Sequence, residues 1–216
     1  MNRPTPSAPS LADADLWHGG FLEAAIVLGP CEDHDADERL ISALNAVWSS
    51  DVTFGPHADR FSFRADSEPI TTIGAGTIDL RSPGHLYGWI KLPSGSWSVG
   101  GTCVIRDEYG DPNLDWVDVY LPLGALAALD GRVGAYPFGG TDACQSWLEP
   151  LSAQLGELAC TVLGSVSGVA AFIGFEVSGT PEADGWDGTV PSERSIGYVT
   201  PGERGVAEYY APTEWR

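Results

Sequence analysis

Basic residues are scarce in this chain, and their scarcity excludes several classes of partner. Of 216 residues, 11 are Lys or Arg and 30 are Asp or Glu, which gives a formal net charge of −19. Lys91 is the only lysine, and neither Lys nor Arg occurs between Arg132 and Arg194. A field this negative repels nucleic-acid phosphates and anionic lipid surfaces. The sequence therefore predicts no nucleic-acid and no membrane partner, and it favours a basic protein partner.

Long apolar runs and a cysteine framework are missing as well. No apolar stretch approaches the roughly 18 residues that a transmembrane helix needs. The N-terminal residues lack the hydrophobic core of a signal peptide. Four cysteines without a CxxC pair are too few and too scattered for a disulfide scaffold. We therefore expect a cytoplasmic protein with reduced thiols.

Familiar catalytic motifs are also absent. The chain has no P-loop, no HExxH, no GxSxG elbow and no SxxK motif. Gly74-Ala-Gly76 begins like a dinucleotide loop, but it lacks the third glycine and a following helix. The sequence accordingly predicts no cofactor.

Apolar residues make up 43% of the chain, enough for a proper core, and their spacing predicts both helices and strands. Turn-forming Gly and Pro clusters separate the β-rich segments. The predicted strands are 21–28, 70–80, 85–92, 97–106, 116–121 and 169–177. The predicted helices begin near Asp35, at Pro122 and near Asp142.

The first of these helices has the clearest pattern. Asp35 and Glu38 have the spacing of a capping box at its start. Its apolar residues recur on one helical face, namely Leu40, Ile41, Leu44, Val47 and Trp48. Pro150 lies inside the predicted helix 142–164, and it favours a kink or a later start there.

These elements predict an α+β fold with a mixed, mostly antiparallel sheet and two amphipathic helices packed on one face. We expect a disordered tail over residues 1–12 and a single domain over 13–216. Its last part, 179–216, is rich in Gly, Pro and Glu and is predicted to be irregular.

Glu23 and Glu176 each lie inside an apolar strand pattern. On a sheet with one wet face they are simply the outward residues. On neighbouring strands they would form a carboxylate pair in which one pKa is raised, and such a pair supports acid–base catalysis. These two residues, with the acids of 107–118, are the weak catalytic candidates of the sequence.

An acidic loop offers an alternative, a calcium site. Its spacing resembles the start of an EF-hand loop, but the glycine and the bidentate glutamate of that loop are missing. The sequence therefore predicts no metal, and the oxygen ligands of an irregular site would be Asp107, Asp111, Asn113 and Asp115. Solvated turns are the simpler reading.

The helix 142–164 carries three acids opposite its apolar face, namely Asp142, Glu149 and Glu157. We interpret this acidic helix face as a contact surface for a basic partner. The chain is then a non-enzymatic, acidic protein-binding module, of the kind an immunity or antitoxin-like protein provides. Two alternatives remain, a hydrolase that uses acidic residues and a domain that binds a small ligand or calcium. The partner, the substrate and the oligomeric state are left open.

Overall fold

The structure is built around one eight-stranded antiparallel sheet. A computed structural model describes residues 8–64, 66–80, 84–106, 113–133, 142–178, 186–202 and 206–214. The strands are β1 (Phe21–Pro30), β2 (Thr53–His57), β3 (Gly84–Lys91), β4 (Trp97–Arg106), β5 (Leu114–Pro122), β6 (Ala170–Phe175), β7 (Gly197–Pro201) and β8 (Ala207–Tyr210). They pair in the order β2-β3-β4-β5-β1-β6-β7-β8. All seven pairings are antiparallel.

Within the described residues, a short 3-10 helix (Ala14–Leu16) and three α-helices accompany the sheet, α1 (Ala36–Ser49), α2 (Leu123–Leu129) and α3 (Asp142–Ser165). The apolar stripes of α1 and α3 pack on the same face of the sheet and form the main core with its inward residues. Leu44 of α1 and Leu155 of α3 are both fully buried there. The predicted α+β class, with a mostly antiparallel sheet and two amphipathic helices on one face, is confirmed, although the described strands pair only in antiparallel fashion and the sheet is not mixed. None of the described helices is long and apolar enough to cross a membrane.

The start of α1 differs from the predicted capping box. Asp35 is the N-cap residue, but its side chain makes no capping hydrogen bond. Its backbone ψ of 10° is not the extended conformation that aims an N-cap side chain at the helix amides. The carboxylate instead lies 3.5 Å from Nη1 of Arg39, one turn along the helix.

The predicted strand 70–80 does not form, apart from an isolated bridge between Ala75 and Ile78. The side chain of Asn45 on α1 binds both backbone groups of Ile73, accepting from its N–H at 3.1 Å and donating to its carbonyl at 2.9 Å. The side chain of Ile73 is buried in the main core. The segment therefore packs on a helix, which satisfies backbone groups that a strand would pair with a neighbour.

Two boundaries also need correction. The C-terminal segment, predicted to be irregular, contributes β7 and β8, because short alternating runs such as Gly197–Pro201 can pair despite flanking Gly and Pro. At the other end, Leu11 is fully buried and the carbonyl of Pro9 accepts a 2.7 Å hydrogen bond from Nε1 of Trp89. The packed part of the chain therefore begins before residue 12. Residues 1–7 lie outside the described part.

The second face of the sheet carries two separate apolar clusters. One cluster surrounds Phe172 near β6, and the other surrounds Trp89 and Leu11 near β3. Glu23, Cys103 and Asp118 on the central strands belong to neither cluster, so a polar opening is left between the two.

Candidate functional site

A cavity of about 290 Å³ occupies this opening, and we call it the open-face cleft. Its polar lining from the strands consists of Glu23, His85, Cys103 and Asp118. Its aromatic lining consists of Trp17, Phe21, Tyr87 and Tyr120, and Arg60 completes the wall. The volume lies at the lower end of the roughly 300–1,000 Å³ typical of ligand pockets.

The strand register places these side chains together. Residues directly opposite one another on antiparallel strands point to the same face of the sheet. One cross-strand row consists of Glu23, Tyr120, Gly101 and Tyr87. The next row on that face consists of Ala25, Asp118, Cys103 and His85.

Gly101 gives the Tyr120 ring room to lie across β4. A Cβ atom at Gly101 would lie 2.7 Å from the Tyr120 hydroxyl oxygen and 2.6 Å from the carbonyl oxygen of Leu86. With glycine there, the Tyr120 hydroxyl reaches Nδ1 of His85 at 3.3 Å. This close approach shapes the floor of the cleft.

Glu23 and Asp118 form a buried carboxyl pair beside Ser178. The Ser178 amide and hydroxyl both donate to Oε1 of Glu23, at 2.8 and 3.0 Å. The Ser178 side chain also offsets part of the rise that burial causes in the pKa of the nearby Asp118. Oδ1 of Asp118 is buried and has no hydrogen-bond partner in the described part of the chain.

The pKa shifts of Asp118 and Glu23 distinguish the two carboxyl groups. Burial raises the pKa of Asp118 to about 8, and the nearby Glu23 carboxylate adds to this shift. Burial also raises the pKa of Glu23, but the Ser178 hydrogen bonds counteract part of that shift. At neutral pH, Asp118 is therefore the protonated member and a proton donor within the cleft.

Cys103 and His85 are adjacent but do not form an activated thiolate. Sγ of Cys103 lies 3.8 Å from Nε2 of His85. Burial raises the pKa of Cys103 to about 12, helped by the negative Asp118 and Glu23. Burial also lowers the pKa of His85, as does the nearby Arg60. Both groups are therefore neutral at pH 7, which argues against cysteine nucleophilic chemistry.

Arg60 and Trp17 cover one side of the cleft. Asp59 shapes the loop after β2 by accepting hydrogen bonds from the Phe61 amide at 2.8 Å and the Ser62 hydroxyl at 2.5 Å. The Arg60 guanidinium carbon then lies 4.7 Å from the Trp17 ring centroid, within cation–π range.

Glu176 lies next to this site but outside the cleft. β6 pairs with β1, and the Glu176 amide donates to the Phe21 carbonyl at 3.1 Å. The Glu176 side chain is exposed beside a second opening lined by Gly19 and Gly20. Its backbone φ of 47° is unusual for a residue other than glycine, and the resulting turn carries Ser178 back over Glu23. Glu176 is therefore a neighbour of Glu23, but the carboxyl group that lines the cleft with Glu23 is that of Asp118.

Of the four residues of the acidic loop, the structure describes only Asn113 and Asp115. Asp107 and Asp111 lie outside the described residues. Both carboxylate oxygens of Asp115 accept hydrogen bonds from Arg106, at 2.8 and 3.1 Å, and the side chain is fully buried. The side-chain amide of Asn113 donates to Glu32 at 3.0 Å. No group of three or more His, Cys, Asp or Glu side chains suited to a metal occurs among the described residues.

The acidic helix face is only partly described. Glu149 and Glu157 are exposed on α3, opposite its buried leucines. The side chain of Asp142 lies outside the described residues.

The cleft contains residues that sequence reasoning passed over, namely Arg60, His85, Tyr87, Cys103 and Ser178. Asp118 belonged to the acids of 107–118 but was not paired with Glu23. A usable signal was present, because Asp118 interrupts the apolar run Trp116–Leu121 just as Glu23 interrupts β1. Finding the pair from that signal also required knowing that β5 pairs with β1.

Comparisons with known proteins do not add to this description. No protein-family model, no curated protein and no solved structure matches the chain. Function therefore has to be argued from the cleft and the surface alone.

Proposed function

We propose that this chain binds a small organic molecule in the open-face cleft and exchanges a proton with it through Asp118, as an acid–base enzyme does. One observation carries the proposal. Asp118 is a nearly fully buried carboxyl group with a free oxygen, and it lines a cavity beside a second carboxyl group. Leaving a buried polar atom unpaired costs about 1–3 kcal/mol, and such atoms recur where a ligand completes the bonding.

The two carboxyls suit complementary roles. Asp118, protonated at neutral pH by burial, gives up its proton when a molecule binds, to the molecule as general acid or to solvent when the molecule is already a cation. Glu23 is held in place by two hydrogen bonds from Ser178 and stabilises positive charge that develops in the bound molecule. Pairs of carboxyls whose environments differ in this way are a common source of acid–base chemistry, hydrolysis included.

Blocking the cleft tests whether it binds ligands. Cys103→Leu places a larger side chain in the cavity, whereas Cys160→Leu alters a half-buried cysteine on α3. In a ligand-observed NMR screen of small polar aromatic compounds, we expect hits with the wild type and with Cys160→Leu. The same compounds should lose binding at least tenfold with Cys103→Leu, because the leucine occupies their volume.

Circular dichroism and thermal melting show whether both variants fold. Hits that bind a folded Cys103→Leu protein as well as the wild type would place the binding site elsewhere. A screen without hits on the wild type would remove the support for a ligand pocket.

A second function, recognition of a basic protein, is supported by a separate observation. The net charge is −19, and Glu149 and Glu157 are exposed on a helix that has no Lys or Arg. Exposed charges of this kind raise association rates and make them sensitive to salt, while they change fold stability little.

Neutralising the acidic helix face tests this second function. Replacing Asp142, Glu149 and Glu157 by Gln should leave the melting temperature nearly unchanged. With a partner captured from lysate, association should become slower at low salt and less dependent on ionic strength, as measured by surface plasmon resonance. If the association rate and its dependence on ionic strength were unchanged, the acidic helix face would be a solvated surface with no part in binding.

A further inference from the structure

Two buried polar atoms, one of a carboxyl group and one of a guanidinium group, lack partners in the described part of the chain, and the residues that carry them line the same cavity. Oδ1 of Asp118 and Nη1 of Arg60 are both buried, and neither has a hydrogen-bond partner in the described part of the chain. A buried group left in this way is costly, and a charged group costs more than a neutral one. A ligand that satisfied both atoms would remove both costs.

The two groups do not satisfy each other. The ion pairs among the described residues join His34, Arg39, Arg106 and Arg132 to aspartates, and none joins Arg60 to Glu23 or Asp118. Arg60 instead stacks on Trp17, and its positive charge offsets part of the rise that burial causes in the pKa of the Tyr87 hydroxyl. The cation and the carboxyl pair therefore lie apart within the cleft.

The wall between them is aromatic. Trp17 meets the Tyr87 ring edge-on, with centroids 5.5 Å apart, and Phe21 meets the Tyr120 ring at 5.1 Å. Such rings favour an apolar or aromatic ligand body, and their faces also attract a ligand cation.

We propose that the ligand is a small amphoteric molecule, with a carboxylate bound by Arg60, an ammonium group bound by Asp118 and Glu23, and an apolar body between them. This inference rests on the proposed function, because it specifies the ligand of the same cleft. A guanidinium group presents paired N–H donors that match a carboxylate. An ammonium group offers three donors, and it relieves the repulsion between two carboxylates that ionise side by side.

The bound ammonium group has a measurable consequence for protons. The groups that face Asp118 are Glu23 from β1, Cys103 from β4, Tyr120 from its own strand and Ser178 after β6. None of these supplies a positive charge, so Asp118 stays protonated in the empty cleft. An ammonium ligand lowers the pKa of Asp118 and expels its proton, so binding at pH 7 releases up to one proton.

The experiment uses three matched compounds and the full chain. They are para-(aminomethyl)benzoate, which has both charges, para-methylbenzylamine, which lacks the carboxylate, and para-ethylbenzoate, which lacks the amine. Straight-chain ω-amino acids of increasing length cover other charge separations. Isothermal titration calorimetry at pH 7, in buffers with different ionisation enthalpies, measures both affinity and proton release.

We expect an amphoteric compound to bind at least tenfold more tightly than either single-charge analogue. Arg60→Gln should abolish its advantage over the amine, and Asp118→Asn should abolish its advantage over the carboxylate together with the proton release. Arg64→Gln, an exposed arginine in the same loop, should change neither. A variant with a general structural defect would bind all three compounds more weakly, and to the same extent.

The failures of the two proposals differ. Equal binding of the three compounds, or discrimination that survives both variants, would overturn the amphoteric ligand. If no amphoteric compound binds while neutral hits from the NMR screen do, this inference falls and the proposed function stands. If nothing binds the wild-type cleft, both fall.

Discussion

Asp118 shows how its surroundings set the chemistry of a single residue. Asp115, three residues earlier on the same strand, is also fully buried, but both of its oxygens are bound by Arg106. No cation pairs with Asp118 in the described part of the chain, and the nearby Glu23 carboxylate raises its pKa further. The same residue type therefore forms a structural ion pair at one position and has a pKa raised to about 8 at the other.

The raised pKa of Asp118 predicts a specific pH dependence of stability. Between the ordinary value of 3.8 and the folded value of about 8, the folded state binds more protons than the unfolded state. Stability from this group is therefore greatest at low pH and falls as pH rises through that window. Asp118→Asn should make the decrease of the unfolding free energy with rising pH less steep, by up to about 1.4 kcal/mol per pH unit. Urea unfolding of both proteins at several pH values measures the two slopes.

A matched control separates this effect from net charge. Glu157→Gln removes the same formal charge from an exposed position on α3 and should leave the slope close to that of the wild type. If Asp118→Asn also kept the wild-type slope, Asp118 would titrate as an ordinary aspartate. The proton-exchange role would then lose its basis.

At the scale of elements, the sequence predicts features that depend on local periodicity, such as the position of a helix and its buried face. The pattern of α1 gave its position and its buried face, with Leu40, Leu44, Val47 and Trp48 all inside the core. Ile41 is only half-buried, because it lies at the margin of the stripe. The segment 70–80 has the composition of a strand, but whether it pairs with a sheet or packs on Asn45 is decided by its neighbours in space.

The candidate site was less predictable for the same reason. Glu23 is recognisable in the sequence as a single polar residue within an apolar strand pattern. Asp118 interrupts the apolar run around it in the same way. The side chains of Glu23 and Asp118 come close together because β1 lies between β5 and β6 in the sheet. Contacts between residues far apart in the sequence determine this strand order. The loop that brings Arg60 over the cleft has no periodic signal at all.

The buried face of α1 supports a direct stability prediction. Leu44 is fully buried between the helix and the sheet, so Leu44→Ala removes apolar contacts and leaves a cavity. We expect a loss of about 2–5 kcal/mol in the free energy of unfolding. Ser42→Ala, on the exposed side of the same helix, should change it by less than about 0.5 kcal/mol. Chemical denaturation measures both values, and an unchanged midpoint for Leu44→Ala would reject the packing described for α1.

At the scale of the whole molecule, the negative charge is unevenly distributed. In the open-face cleft, the cation of Arg60 accompanies the carboxylate of Glu23, and His85, Cys103 and Asp118 are neutral at pH 7, so the cleft is far less negative than the chain as a whole. Exposed positions such as Glu149 and Glu157 contribute to the acid excess. The two proposed functions therefore rest on separate parts of the molecule, and we expect variants of one to leave the other intact.

The excess of exposed acids also predicts how the fold responds to salt. A net charge of −19 destabilises a compact state through self-repulsion, and salt screens that repulsion. The screening length falls from about 30 Å at 0.01 M salt to about 10 Å at 0.1 M. We therefore expect the melting temperature at about pH 8 to rise with sodium chloride over this range, in differential scanning calorimetry. Near the isoelectric point of 4.2 the rise should largely disappear, because the net charge is then close to zero. A melting temperature that fell with salt at pH 8 would mean that attractive pairs such as Arg106–Asp115 outweigh the repulsion, and steering by a negative surface would lose its physical support.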